Sequence, residues 1–211
     1  MKITWLGHSC FLVETNEQRI VMDPYDATIG YPLPQVEADI VTTSHAHRDH
    51  GAVDTVHGSP HILNQPGEFK SNQVIITGVE TFHDDSQGRK RGKNIVYKVD
   101  SEGLSLCHLG DLGHRPDSSL IKKIGHVDVL LIPVGGVYTI AADEALEVAK
   151  LLHSEITIPM HFKTSALNFS LAPVEDYIRN FDTVIKLPFL EVTAENISTM
   201  SPVVVLEYQT T

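Results

Sequence analysis

The chain has 211 residues, 42% of them hydrophobic and 20% charged, with a formal net charge of -11 and 12 histidines against one tryptophan. That length and composition suit one domain able to bury an apolar core without disulfide staples. The acidic balance excludes a broad basic groove for nucleic acid. No run approaches the ~20 apolar residues of a membrane-spanning helix. The opening residues read as strand rather than export signal, so the cytoplasm is the expected compartment.

In chain order, residues 2–6, 11–15 and 19–22 alternate or are β-branched between turn residues and are predicted strands. Residues 38–43 are a compact apolar run that ends at Ser44-His45. Residues 73–82 form another β-rich run, ending at His83. Residues 94–99 and 104–109 flank Asp100-Ser101-Glu102-Gly103, a hairpin signal. Residues 117–124 open with capping residues and predict a short helix. A buried strand over 126–133 follows, then the clearest amphipathic helix, over 141–153, with apolar residues three and four apart. A strand over 156–160, a helix from Pro173 to residue 181, and strands over 184–187 and 203–206 complete the chain. Strands thus come first and strand–helix units later, the order of an α+β fold with two packed sheets and helices outside. Cys10 and Cys107 sit in strand-like runs and read as buried free thiols.

His45-Ala46-His47-Arg48-Asp49-His50 places four ligand-type side chains in a short stretch. In extended chain His45 and His47 share a face and can pinch one ion. Asp49 and His50 lie further on and can face a second, with Gly51 allowing the turn. Imidazole and carboxylate favour zinc, manganese, iron or cobalt over a thiolate-type site. Two ligands per ion are too few, and His83, Asp111 and His161 each follow a predicted strand. A carboxylate can bridge two metals, and Asp111 is the natural candidate. The set then closes: His45, His47, His83 and Asp111 for one ion, Asp49, His50, Asp111 and His161 for the other. A lone loop histidine is usually just hydrogen-bonded, but this motif with three further strand-end ligands points to metal.

These motifs carry a family resemblance. The stretch from His45 to His50, with His83, Gly110-Asp111 and Pro159-Met160-His161, resembles the metallo-β-lactamase fold superfamily over nearly the whole chain. The segments LGHSCFLVET, IVMDP, GDLGH and IPMHFKT are most similar to predicted zinc-dependent hydrolases akin to L-ascorbate-6-phosphate lactonase and N-acyl-phosphatidylethanolamine phospholipase D. The resemblance implies a four-layer αββα sandwich, a single hydrolase domain over residues 1–211, and metals at one edge. It implies His45, His47, Asp49, His50, His83, Asp111 and His161 as the ligands, with Asp84 and Asp85 as rivals to His83. Asp23 matches a buried aspartate that supports the metal-binding loop.

The expected cofactors are two divalent metal ions, zinc first, with manganese, iron, nickel or cobalt as alternatives. The expected reaction is hydrolysis of an ester, lactone or phosphodiester by a hydroxide shared between the ions, oriented by Asp49. His114 is a candidate proton donor, and Lys163 with Thr164 is a candidate grip for a phosphate or carboxylate. His8 is either a structural histidine or one that orients a ligand. The basic cluster Arg89, Lys90, Arg91 and Lys93 is either a solvated hairpin tip or a lid that recruits an anion. The glycines in residues 133–138 can admit close backbone approach to the site. The expected partner is a small molecule, anions included, with no stably bound nucleic acid; the resemblance also admits a homo-oligomer. Competing functions are a di-iron redox protein and a non-catalytic metal-binding protein on the same fold.

Overall fold

In the computed structural model, which describes residues 1–210, strict alternation builds the first sheet. Its strands are β1 (Lys2–Gly7), β2 (Cys10–Glu14), β3 (Arg19–Met22), β4 (Ile40–Thr42) and β5 (His61–Leu63). Ile3, Trp5, Phe11, Val13, Ile20, Met22 and Ile40 point into the main core. Their neighbours Leu6, Cys10, Leu12, Val21 and Val41 point the other way, into a second cluster with Tyr25, Ile29, Tyr31 and Leu167. A side-chain period of two thus buries both faces of one sheet.

The second sheet holds β6 (Gly67–Ser71), β7 (Val74–Phe82), β8 (Lys93–Ser101), β9 (Leu104–His108), β10 (Val129–Pro133) and β11 (Ile156–Met160). Strands β9, β10 and β11 are parallel, and all their residues are buried, as a two-sided parallel arrangement requires. Three short strands follow: β12 (Ile185–Leu187), β13 (Leu190–Glu191) and β14 (Val204–Leu206). The orders are β13-β1-β2-β3-β4-β5 and β11-β10-β9-β8-β7-β6, with β12-β14 as a small third sheet. Helix α1 (Ser118–Ile124) starts where Asp117 accepts a hydrogen bond from Leu120 N at 2.8 Å. Helix α2 (Ala142–Leu152) packs on β10 and on α3 (Glu175–Ile178). The sandwich is the expected α+β class, with unequal outer layers. The regular helices follow Asp117, whereas the outer face of the first sheet is covered by irregular chain and a short 3-10 helix, Ala27–Ile29.

The hairpin between β8 and β9 turns on Glu102 and Gly103, both at positive φ (58° and 74°), the backbone of a tight primed turn. The helix expected over 173–181 is regular only from Glu175 to Ile178. Asn180 ends it: its side-chain amide donates to the carbonyls of Asp176 and Tyr177, both at 3.1 Å. Cys10 and Cys107 are free and buried. Among the described residues no helix is long and apolar enough to cross a membrane.

Strand direction positions the site. β1, β3 and β4 run the same way in the first sheet, since β2 is antiparallel to β1 and β3 and β4 is parallel to β3. β7, β9, β10 and β11 likewise share a direction, with β8 antiparallel between β7 and β9. The chain leaving the C-terminal ends of these strands converges on one edge of the sandwich.

Candidate metal centre

Each polar side chain of the centre follows such a strand end: His8 after β1, Asp23 after β3, His45 to His50 after β4, His83 after β7, Asp111 after β9 and His161 after β11. His8, Asp23 and His161 adopt left-handed backbone, with φ of 53°, 50° and 52°. That conformation costs an L-residue on the order of 1 kcal/mol and clusters where function fixes the chain. The packing leaves no slack. A Cβ on Gly135 would lie 2.0 Å from the His161 carbonyl oxygen, and one on Gly113 2.3 Å from the His83 carbonyl carbon.

Asp111 is the hub. Its backbone N donates to Asn94 Oδ1 at 2.9 Å, and Asn94 Nδ2 donates to Thr81 Oγ1 and Leu109 O at 2.8 and 2.9 Å. Asp111 Oδ1 lies 3.1 Å from His50 Nε2 and 3.4 Å from His161 Nε2. Its other oxygen, Oδ2, lies 3.1 Å from His83 Nε2 and 3.9 Å from His45 Nε2. One carboxylate thus faces two sets of imidazoles. The donor atoms of His45, His47 and His83 lie within 4.8 Å of one another, as do those of His8, Asp49, His50 and His161.

Behind these groups, Asp23 accepts from Ser44 N at 2.7 Å and Ser44 Oγ at 2.6 Å, and its Oδ2 lies 2.7 Å from His50 Nδ1. His108 ties the sheets, with Nε2 donating to Ser9 O at 2.8 Å and Nδ1 accepting from Gly110 N at 3.0 Å.

Burial and neighbouring charge set the protonation states. Burial, helped by His161, holds His8 down to about 4. Burial, helped by His50, holds His45 down to about 3. His50 is also buried, but it sits between Asp111 and Asp23, which raise it well above the ordinary histidine value. Burial works against Asp111, yet His161 and His50 hold it well below the usual carboxylate range. Asp49 is also held low, the adjacent His8 ring and His50 outweighing burial.

The residues present fit divalent metal. His45 Nε2, His50 Nε2, His83 Nδ1, His161 Nδ1, both ring nitrogens of His8 and Asp111 Oδ1 are buried without a hydrogen-bond partner. Such atoms are normally satisfied, and leaving each one bare costs about 1–3 kcal/mol. Imidazole nitrogens and carboxylate oxygens gathered this closely, several of them without a partner in the protein, match the donor set of zinc and its neighbours in the transition series.

The expected site residues divide. His45, His47, Asp49, His50, His83, Asp111 and His161 converge. His114 does not join them: its Nε2 accepts from Phe82 N at 3.4 Å and its Nδ1 donates to Arg115 O at 3.0 Å, so backbone groups occupy both nitrogens. Lys163 is also turned away, its ammonium donating to the carbonyls of Leu167 and Phe169, and Thr164 meets the Tyr31 hydroxyl at 2.6 Å. Those two residues brace a loop. Asp84 and Asp85 do not replace His83. Asp84 accepts backbone N–H groups of its own loop, and Asp85 pairs with Lys90 at 2.8 Å. His8 lies deeper in the centre than its sequence context implied, with Nε2 3.4 Å from Asp49 Oδ2. A cleft of about 490 Å³ opens above these groups, and its rim includes Lys90, Arg91, Tyr138 and Phe169. Neither aromatic ring nor Asn94 is marked in the sequence, since no spacing or ligand type distinguishes them.

A two-sheet sandwich with histidines and aspartates clustered along one strand-end edge is the architecture of a metal-binding protein. The family described as "Beta-lactamase superfamily domain" matches residues 2–161, and the chain belongs to it. A UPF0173 metal-dependent hydrolase of Thermoplasma volcanium is 31% identical over 192 residues, covering 78% of this chain and 84% of that protein. A crystal structure of a metallo-β-lactamase superfamily protein from Thermotoga maritima is 45% identical, with a TM-score of 0.84 and 99% of each chain covered. Igni18, a metallo hydrolase of Ignicoccus hospitalis, is 26% identical with a TM-score of 0.61, covering 77% of this chain and 82% of that one. The chain is a metal-dependent hydrolase.

Proposed function

We propose that residues 1–211 form one hydrolase domain that uses two divalent ions, zinc first, to cleave an ester, lactone or phosphodiester bond of a small molecule. His45, His47, His83 and Asp111 would hold one ion, and Asp49, His50, Asp111 and His161 the other. The observation that carries this reading is the split of Asp111, Oδ1 toward His50 and His161 and Oδ2 toward His83 and His45. When bound, the ions supply a water acidic enough to attack near neutral pH and positive charge for the oxyanion that develops.

The chain's own residues do the positioning. Asp49 is half-buried at the cleft and is the residue that aligns the attacking water toward a carbonyl carbon or phosphorus. His8 packs beside Asp49, with Nε2 3.4 Å from Oδ2, and would limit where that carboxylate points as a positioning residue. Asp23 holds the Nδ1 side of His50, which leaves Nε2 aimed at Asp111. Both thiols are free and buried, which suits a reducing compartment such as the cytoplasm.

A panel of lactones, phosphodiesters, phosphomonoesters and thioesters tests the function. The expected result is turnover of at least one lactone, ester or phosphodiester, abolished by a chelator and restored by zinc. With that substrate, Asp49→Asn should lower kcat by roughly a hundredfold or more. No turnover across the panel by metal-loaded protein, or turnover indifferent to chelation, would refute it.

A further inference from the structure

The loop between β7 and β8 is built as a fixed wall of the cleft. Asp84 Oδ1 accepts from Ser86 N at 2.8 Å and Gly88 N at 2.9 Å, while Oδ2 accepts from Lys90 N at 2.9 Å and Arg91 N at 2.8 Å. One carboxylate therefore knots the whole basic segment in place. Its cations are not equivalent. Lys90 pairs with Asp85 and Lys93 with Glu80, both at 2.8 Å, and Arg89 Nε donates to Ser86 O at 3.0 Å. Arg91 has no carboxylate within ion-pair distance among the described residues. Its Nη2 donates to Val137 O at 3.2 Å, and its guanidinium carbon lies 5.4 Å from the centre of the Tyr138 ring. Single attachment leaves the other N–H donors of a planar fork unused at the rim of the cleft.

The segment that Arg91 holds is itself strained. Val137 is β-branched yet adopts φ 60°, and it is 63% exposed. A β-branched residue in left-handed backbone is costly, so the turn that carries Tyr138 is held by its surroundings, the Arg91 contact among them. That turn presents the Tyr138 ring to the cleft, 6.1 Å from the Phe169 ring, and Phe169 in turn packs 5.5 Å from His8. The cleft therefore has a metal-ligating floor, one unpaired cation on its rim and an aromatic wall.

We propose, on the hydrolase function above, that the cleft selects a small molecule bearing a carboxylate or phosphate on a flat apolar body. Arg91 takes the anion through its free donors, and Tyr138 and Phe169 take the body. The scissile bond then lies over Asp111 and Asp49. A volume of about 490 Å³ suits such a ligand. Bound divalent ions would draw an anion toward the floor of the cleft, and an unpaired arginine at the rim adds a second, directional contact that chooses where the anion sits.

The test uses zinc-loaded wild type, Arg91→Gln, Arg91→Lys and Tyr138→Ala, with metal content measured for each. Calorimetry with phenylphosphonate, methylphosphonate and benzoate gives binding without turnover. Arg91→Gln should weaken phenylphosphonate or benzoate by roughly tenfold or more at equal metal content, and Arg91→Lys by less, because it keeps the charge. The acid whose affinity falls further in Arg91→Gln identifies the group that Arg91 recognises. Wild type should prefer phenyl- over methylphosphonate, and Tyr138→Ala should erase that preference. Kinetics add 4-acetoxybenzoate against its neutral amide, 4-acetoxybenzamide: Arg91→Gln should lower kcat/KM for the acid by roughly tenfold more than for the amide. Binding of both acids within about twofold of wild type in Arg91→Gln, at equal metal content, would overturn the assignment. Failure of either ester to turn over, with the binding losses as expected, would count against the ester chemistry and not against the anion site.

Discussion

Asp23 acts from behind the histidine and aspartate cluster. Its carboxylate gathers Ser44 N, Ser44 Oγ and His50 Nδ1, so it fixes the start of the loop after β4 and the aim of its last histidine. Asp23→Asn cannot accept from all three in the same way, and metal affinity should fall about 10–100-fold, read by competition with a chromophoric chelator. Unchanged affinity would show that His50 is aimed by the backbone alone. The residue scale is where the sequence was most and least legible. The ligand-type spacing from His45 to His50 marks those residues at once, and His83, Asp111 and His161 stand out because each follows a strand-like run. Asn94 carries no such mark, although its side chain holds the Asp111 backbone at 2.9 Å. His114 and Lys163 had the right chemistry at the right distance along the chain. Their polar atoms are spent on backbone partners, a fate that spacing does not reveal.

At the scale of elements, the site depends on how closely neighbouring strand ends approach. Gly135, just beyond β10, lies against the His161 carbonyl, where a Cβ would sit 2.0 Å from oxygen. Gly135→Ala must push the end of β11 aside, and it should cost about 1–3 kcal/mol, read by chemical denaturation, with a loss of metal affinity greater than stability alone explains. A second tie lies at the far end of the same sheet. Burial disfavours the Asp128 carboxylate, but Ser105 N and Oγ donate to it at 2.7 and 2.8 Å and His126 lies beside it, so its folded value is lowered from 3.8. A depressed carboxylate contributes stability that is present above its unfolded value and is lost as pH falls through the folded one. Asp128→Asn should therefore cost about 1 kcal/mol at neutral pH. Its difference from wild type should shrink as pH drops below about 4. A difference independent of pH would exclude a charge effect. The strands with clean alternation or continuous apolar character were visible in advance. β5, β6 and β13 were not, because edge strands with exposed polar residues show no period, and pairing to a neighbour is what makes them strands.

At the scale of the whole molecule, the two sheets meet through their core and again at the edge where the histidines and aspartates cluster. His8 and His50 come from the first sheet; His83, Asp111 and His161 come from the second. Ions held between them would cross-link the sandwich, and binding to the folded state alone would raise its stability by mass action. Removing metal should lower Tm by roughly 5–10 °C and returning zinc should restore it. The most direct test is metal analysis of zinc-loaded, desalted protein alongside Asp111→Asn. About two equivalents per chain in wild type, falling to about one or fewer in the variant, is the predicted result. Two equivalents retained by Asp111→Asn, or none held by wild type, would contradict the shared-carboxylate centre.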